Sequence, residues 1–74
     1  MGLSPRLEQT LILMVHGASL RQTAKALGVS PAVASNYRYR VRCKLDMWET
    51  ADLLRYAIEA GLADLRRVNE HGSR

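Results

Sequence analysis

Two histidines, one cysteine and a run of alternating basic residues are where this chain could carry chemistry. His16, Cys43 and His71 are scattered, with no carboxylate or second thiol beside them. Neither a nucleophile–base pair nor a metal-ligand set follows from that spacing, and no glycine-rich phosphate loop occurs. No enzyme activity, cofactor, metal or small-molecule ligand is therefore expected. Cys43 reads as incidental, and His16 beside Gly17 suits a helix C-terminus, where the dipole favours a proton. The basic residues say more. Arg21, Lys25, Arg38, Arg40, Arg42 and Lys44 are the only charged residues between Gln9 and Leu45. From Asp46 to Asp64 the balance inverts, with Asp46, Glu49, Asp52, Glu59 and Asp64 against Arg55. A merely solvated surface mixes its signs, so this segregation points to a polyanion partner, with simple solubility as the bland alternative.

The elements that would position those residues are marked by start and stop signals. Ser4-Pro5 opens a first helix, whose Leu7, Leu11, Met14 and Val15 fall on one stripe before Gly17. Ser19 with Gln22 forms a capping box for a second helix, with Leu20, Ala24 and Leu27 inward and Gly28 closing it. Thr23 also falls at a core position, where its hydroxyl needs a bond back to its own helix. Ser30-Pro31 opens a third helix reaching Leu45, with Ala34, Tyr37, Val41 and Leu45 inward and Val33 flanking. After an Asp46-Met47-Trp48 corner, a fourth helix runs from about Glu49 to Ala60 and stops at Gly61. Its expected core stripe is Ala51, Leu54 and Ile58, widened by Leu53 and Ala57. Leu62 and Leu65 would add a loose turn. Residues 1–65 thus form one domain and residues 66–74 a flexible C-terminal tail.

Two short helices joined by a glycine-containing turn are the sequence form of a helix-turn-helix. At about 100° per residue, the third helix turns Ala32, Ser35, Tyr39 and Cys43 away from its apolar stripe. Asn36 and Arg42 lie beside them, and Arg38 and Arg40 at the two borders. Lys44 falls near the core stripe. Small and amide side chains permit close approach to base edges, while arginines reach phosphates. Trp48 is expected to pack over the helix ends.

With 74 residues there is room for one domain with a modest core, and 47% hydrophobic content argues against wholesale disorder. The longest apolar run, Leu11 to Val15, is too short to cross a membrane. One cysteine allows no internal disulfide, so the cytoplasm is the expected compartment.

In order and without insertion, several of these residues resemble the LuxR-type (GerE-type) DNA-binding domain, over roughly Leu3 to Leu62. Leu3-Ser4-Pro5-Arg6, Leu11, Leu13 and Gly17 resemble its first helix, and Ala24, Leu27, Gly28, Val29 and Ser30 its central turn. Val41, Lys44-Leu45, Ala51, Leu54, Tyr56 and Ala57 are similar to the segment that follows. The chain departs from the family pattern at Leu7, at Gln22-Thr23 and at Val33-Ala34-Ser35, where the family has a glutamate, a glutamate-isoleucine pair and threonine-valine-lysine. The resemblance implies an all-α four-helix bundle whose third helix enters the DNA major groove. It implies base contacts at Ser35, Asn36 and Tyr39, which the outward face also offers, and phosphate contacts around Ser19 and Arg21, joined by Arg38, Arg40 and Arg42. Homodimerisation through the fourth helix would use its borders, around Thr50, Leu53, Arg55 and Tyr56.

The expected function is sequence-selective binding of double-stranded DNA in transcription control, as a homodimer, with RNA polymerase as a further candidate partner. The runner-up is an interaction protein that uses the same fold to bind a transcription factor or polymerase subunit. A promoter-recognition domain of sigma-factor type is the third reading, although it does not require the fourth helix. The chain reads equally as a free-standing regulator or as the output domain of a larger one.

Overall fold

The computed structural model describes residues 3–63, folded as four helices: α1 (Pro5–Val15), α2 (Leu20–Leu27), α3 (Pro31–Leu45) and α4 (Thr50–Glu59). The residues expected to begin the first three helices do so. Ser4, Ser19 and Ser30 each accept a backbone N–H three residues on, from Leu7, Gln22 and Val33 at 3.3, 3.1 and 3.3 Å. At Ser19 the box is reciprocal, because its own N–H donates to Gln22 Oε1 at 2.8 Å. Each bond satisfies an amide that the first helical turn would leave without a partner.

The helix ends are equally local. Gly28, in left-handed conformation at φ 71°, reverses the chain after α2, and the Val29 N–H then bonds the Ala24 carbonyl at 3.0 Å. The same reversal after α3 is made by Asp46 at φ 54°, followed by Met47 N–H to Arg42 C=O at 3.1 Å. The fourth helix differs: its N-cap is Glu49, with no side-chain cap bond.

Packing is centred on α1, which contacts each of the other three helices, while α2 lies against α3. Leu3, Leu7, Leu11, Met14 and Val15 meet Val41 of α3 and Leu53 and Ala57 of α4 in one buried cluster. Ala34 and Ala24, both small, and Leu27 are buried on α3 and α2. Arg6 adds a polar tie. Its guanidinium donates to the Leu27 carbonyl at 2.7 Å, placing a cation at the negative end of α2 and joining α1 to the helix-turn-helix.

Two expectations are corrected. In α4 the enclosed residues are Leu53 and Ala57; Leu54 and Ile58 are half-buried and Ala51 is exposed. The helix carries two adjacent apolar stripes, and the one with the small Ala57 lies inward, where it permits close approach to α1. Lys44 is exposed rather than resting on the core, while its neighbour Leu45 packs there. Leu65 and the expected tail, residues 66–74, lie outside the described residues, as does His71.

Candidate nucleic-acid interface

The rotation of α3 is fixed by its two fully enclosed residues, Ala34 and Val41. Tyr37, on the same side, is half-buried and packed against the core, as is Leu45. With that side held, about 100° per residue carries Ala32, Ser35, Asn36, Tyr39 and Cys43 outward, and all five are exposed. The three residues expected to read bases, Ser35, Asn36 and Tyr39, therefore share one open face.

The arginines around it are not equivalent. Arg40 is exposed, whereas Arg38 and Arg42, one turn apart on the opposite border, are half-buried. A half-buried arginine covers its aliphatic stem first and keeps its charged end in water. Arg40 and Lys44, again one turn apart, extend the open side further round. Arg21, in the first turn of α2, is exposed, and so is Ser19. The Ser19 oxygen is occupied by its cap bond, yet its hydroxyl proton remains free to donate to a phosphate oxygen.

Tyr39 has two side-chain neighbours. A hydrogen bond with the Cys43 thiol, one turn on, raises its phenol above the ordinary tyrosine value, with the thiolate's charge and slight burial adding to the effect. Like any tyrosine, with an ordinary value of about 10, the phenol is protonated at neutral pH and able to donate. On the other side stands Trp48, with ring centroids 5.8 Å apart and planes tilted by 57°. Trp48 was expected to cover helix ends. Instead it is 52% exposed and sits beside Tyr39, while its neighbour Met47 turns in against the core. Sequence periodicity stops at a helix end, so nothing in the spacing signals this pair; it depends on the reversal at Asp46. The Arg6 tie was missed for the same reason, since it joins residues 21 apart.

The four residues expected to dimerise separate into unlike environments. Thr50 and Arg55 are exposed and Tyr56 is half-buried against the core. Leu53 is fully enclosed within the protomer and has no surface to offer a partner, which corrects that expectation. The open part of α4 is instead a shallow apolar groove formed by Ala51, Leu54 and Ile58 between Arg55 and Glu59. A second shallow groove lies between the end of α1 and α2, lined by Leu13, His16, Ala18 and Ala26. His16 Nδ1 lies 2.8 Å from the Ile12 carbonyl, a geometry that bonds when that nitrogen carries the proton.

Among the described residues, no three His, Cys, Asp or Glu side chains gather to hold a metal, and no helix is long and apolar enough to cross a membrane.

The fold and this face can be set beside known proteins. The transcriptional regulatory protein MctR of Rhizobium johnstonii is 38% identical over 60 residues, covering 81% of this chain and 28% of MctR. The transcriptional regulatory protein FixJ of Azorhizobium caulinodans is 37% identical over 62 residues, 84% of this chain and 29% of FixJ. The response regulator UvrY of Escherichia coli is 31% identical over 68 residues, 92% of this chain and 31% of UvrY. The chain thus spans less than a third of each of these relatives. No family model and no solved structure matches it. The four-helix layout and these relatives define the class: the homologues are LuxR-family regulators, and the chain matches their LuxR-type helix-turn-helix domain.

Proposed function

We propose that this domain binds double-stranded DNA sequence-selectively and regulates transcription. The observation that carries the reading is the outward face of α3, where Ser35, Asn36 and Tyr39 lie exposed beside Arg40 while Ala34 and Val41 are fully enclosed. Three relatives named as transcriptional or response regulators support it.

Ser19, Arg21, Arg38, Arg40 and Arg42 contact phosphates, releasing counterions and giving affinity that falls with salt. Ser35, Asn36 and Tyr39 then meet base edges in the major groove, where an amide such as Asn36 pairs bidentately with adenine. The acidic α4 segment, with Glu49 and Glu59 exposed, is repelled by phosphates. That repulsion turns the molecule so that α3 faces the duplex.

One such module buries too little surface to hold a specific site firmly, so the binding species is a homodimer on a two-fold symmetric site. Its contact is the α4 groove of Ala51, Leu54 and Ile58, with Arg55 and Thr50 at its edges, in place of the enclosed Leu53. The work of such a regulator is cytoplasmic, and the groove beside His16 is the surface it offers to RNA polymerase or another factor.

Selection of bound duplexes from a random library tests the reading, followed by titration of the recovered duplex and a scrambled one across salt concentrations. A recovered two-fold sequence, bound more tightly than its scrambled form, with log affinity falling linearly in log salt, is expected. No enrichment, and no binding to either duplex at low salt, overturns it. That result favours the second reading, a fold-alike that binds a transcription factor or polymerase subunit through the groove beside His16.

A further inference from the structure

We propose that Trp48 is a positioning residue of the DNA-reading surface, holding the Tyr39 side chain in the orientation in which it meets a base. The inference rests on the DNA-binding reading above and adds to it a residue outside the recognition helix.

Three observations combine. Among the described residues, the large apolar side chains that remain exposed are Val33, Tyr39 and Trp48, at 39, 59 and 52%, and all lie on α3 or the corner that ends it. Leaving a tryptophan half in water forgoes the burial that usually justifies so large an apolar side chain. Next, Trp48 does not serve the core, because the corner sends Met47 inward and leaves Trp48 outward. Finally, its ring stands 5.8 Å from that of Tyr39 at a 57° tilt, inside the roughly 4.5–7 Å range in which tilted aromatic pairs attract.

The chain path brings the pair together. Asp46 reverses the backbone in left-handed conformation, and the bonds from Asp46 N–H to Cys43 C=O and from Met47 N–H to Arg42 C=O fold the corner back along α3. Trp48 is thereby returned beside a residue nine positions earlier. A lone exposed tyrosine samples several rotamers, and ordering it on binding costs conformational entropy. With the Trp48 ring beside it, Tyr39 is ordered before DNA arrives. A pre-ordered side chain discriminates between bases; a free one adapts to several.

The test uses the duplex recovered by selection, single-base variants of it, and four proteins: wild type, Trp48→Ala, Tyr39→Ala and the double variant. Trp48→Ala should lose base discrimination about as much as Tyr39→Ala, on the order of tenfold at the position Tyr39 meets. The double variant should lose no more than either alone, since both removals abolish one interaction. Trp48→Phe should restore discrimination. The salt slope should stay at its wild-type value, and thermal unfolding should remain cooperative with its midpoint lowered by a few degrees at most, the loss of the pair itself; together these separate positioning from phosphate contact and from damage to the fold. If Trp48→Ala discriminates as the wild type does, or the two losses add, the inference is overturned while the DNA-binding reading stands. If the wild type binds no duplex at low salt, both fall.

Discussion

Thr10 and Thr23 are both fully enclosed, yet their hydroxyls are treated differently. Thr10 donates to the Arg6 carbonyl one turn back at 2.8 Å, while Thr23 Oγ1 has no partner. A buried hydroxyl without a bond costs about 1–3 kcal/mol, and a methyl of similar shape does not. Thr23→Val is therefore expected to raise the unfolding free energy by about 1 kcal/mol, measured by urea denaturation. A lower value would mean that the hydroxyl is satisfied in solution. The core position of Thr23 was legible from the resemblance, whose pattern has an isoleucine there, and so was the need for a bond back to its helix. That the bond is not made was not readable, because it depends on rotamer and packing. The same division holds on α3. The exposure of Ser35, Asn36 and Tyr39 follows from counting around a helix whose inner side is named by Ala34 and Val41. The half-burial of Arg38 and Arg42 against the openness of Arg40 required the neighbouring helices.

At the scale of elements, boundaries were legible wherever the chain spells them chemically. Ser4, Ser19 and Ser30 begin helices and Gly28 ends one, each through bonds within a few residues. The end of α3 is less regular. Asp46 occupies a left-handed conformation that costs an ordinary L-residue about 1 kcal/mol or more, and it sets a carboxylate at the negative end of a helix dipole. Asp46→Asn keeps the tolerance for that conformation and removes the charge. It should raise stability by about 0.5 kcal/mol, while the β-branched Asp46→Val should lower it by about 1 kcal/mol or more, both read from thermal unfolding. Equal effects from both would remove backbone strain from the explanation. The fourth helix was placed correctly but rotated wrongly. Ala51, Leu54 and Ile58 satisfy helical spacing as well as Leu53 and Ala57 do, and periodicity does not say which stripe faces α1. The enclosed stripe contains Ala57, and the other remains as a groove.

For the whole molecule, that leftover groove and the division of charge are the grounds on which α3 and α4 are proposed to serve different partners. If a second copy covers the α4 groove, Ile58→Glu introduces a charge into the contact without touching the enclosed Leu53–Ala57 stripe. The variant should sediment as a monomer and bind a two-fold site at least tenfold more weakly, while its affinity for an isolated half-site and its helical content stay unchanged. An unchanged sedimentation coefficient on DNA would remove the groove from the dimer. The fold class and the family were legible because four amphipathic segments, their caps and a basic stretch agree with one another. The partner of each surface was not, because exposure records only what the protomer itself leaves uncovered. The central claim, that the outer face of α3 is the DNA-reading surface, is tested most directly by following backbone amide resonances as the selected duplex is added. The shifts should concentrate at Ser19, Arg21 and from Ser30 to Arg40, together with the Trp48 indole. Shifts confined to the groove around Leu13, His16 and Ala26, with Ser35, Asn36 and Tyr39 unmoved, would contradict it.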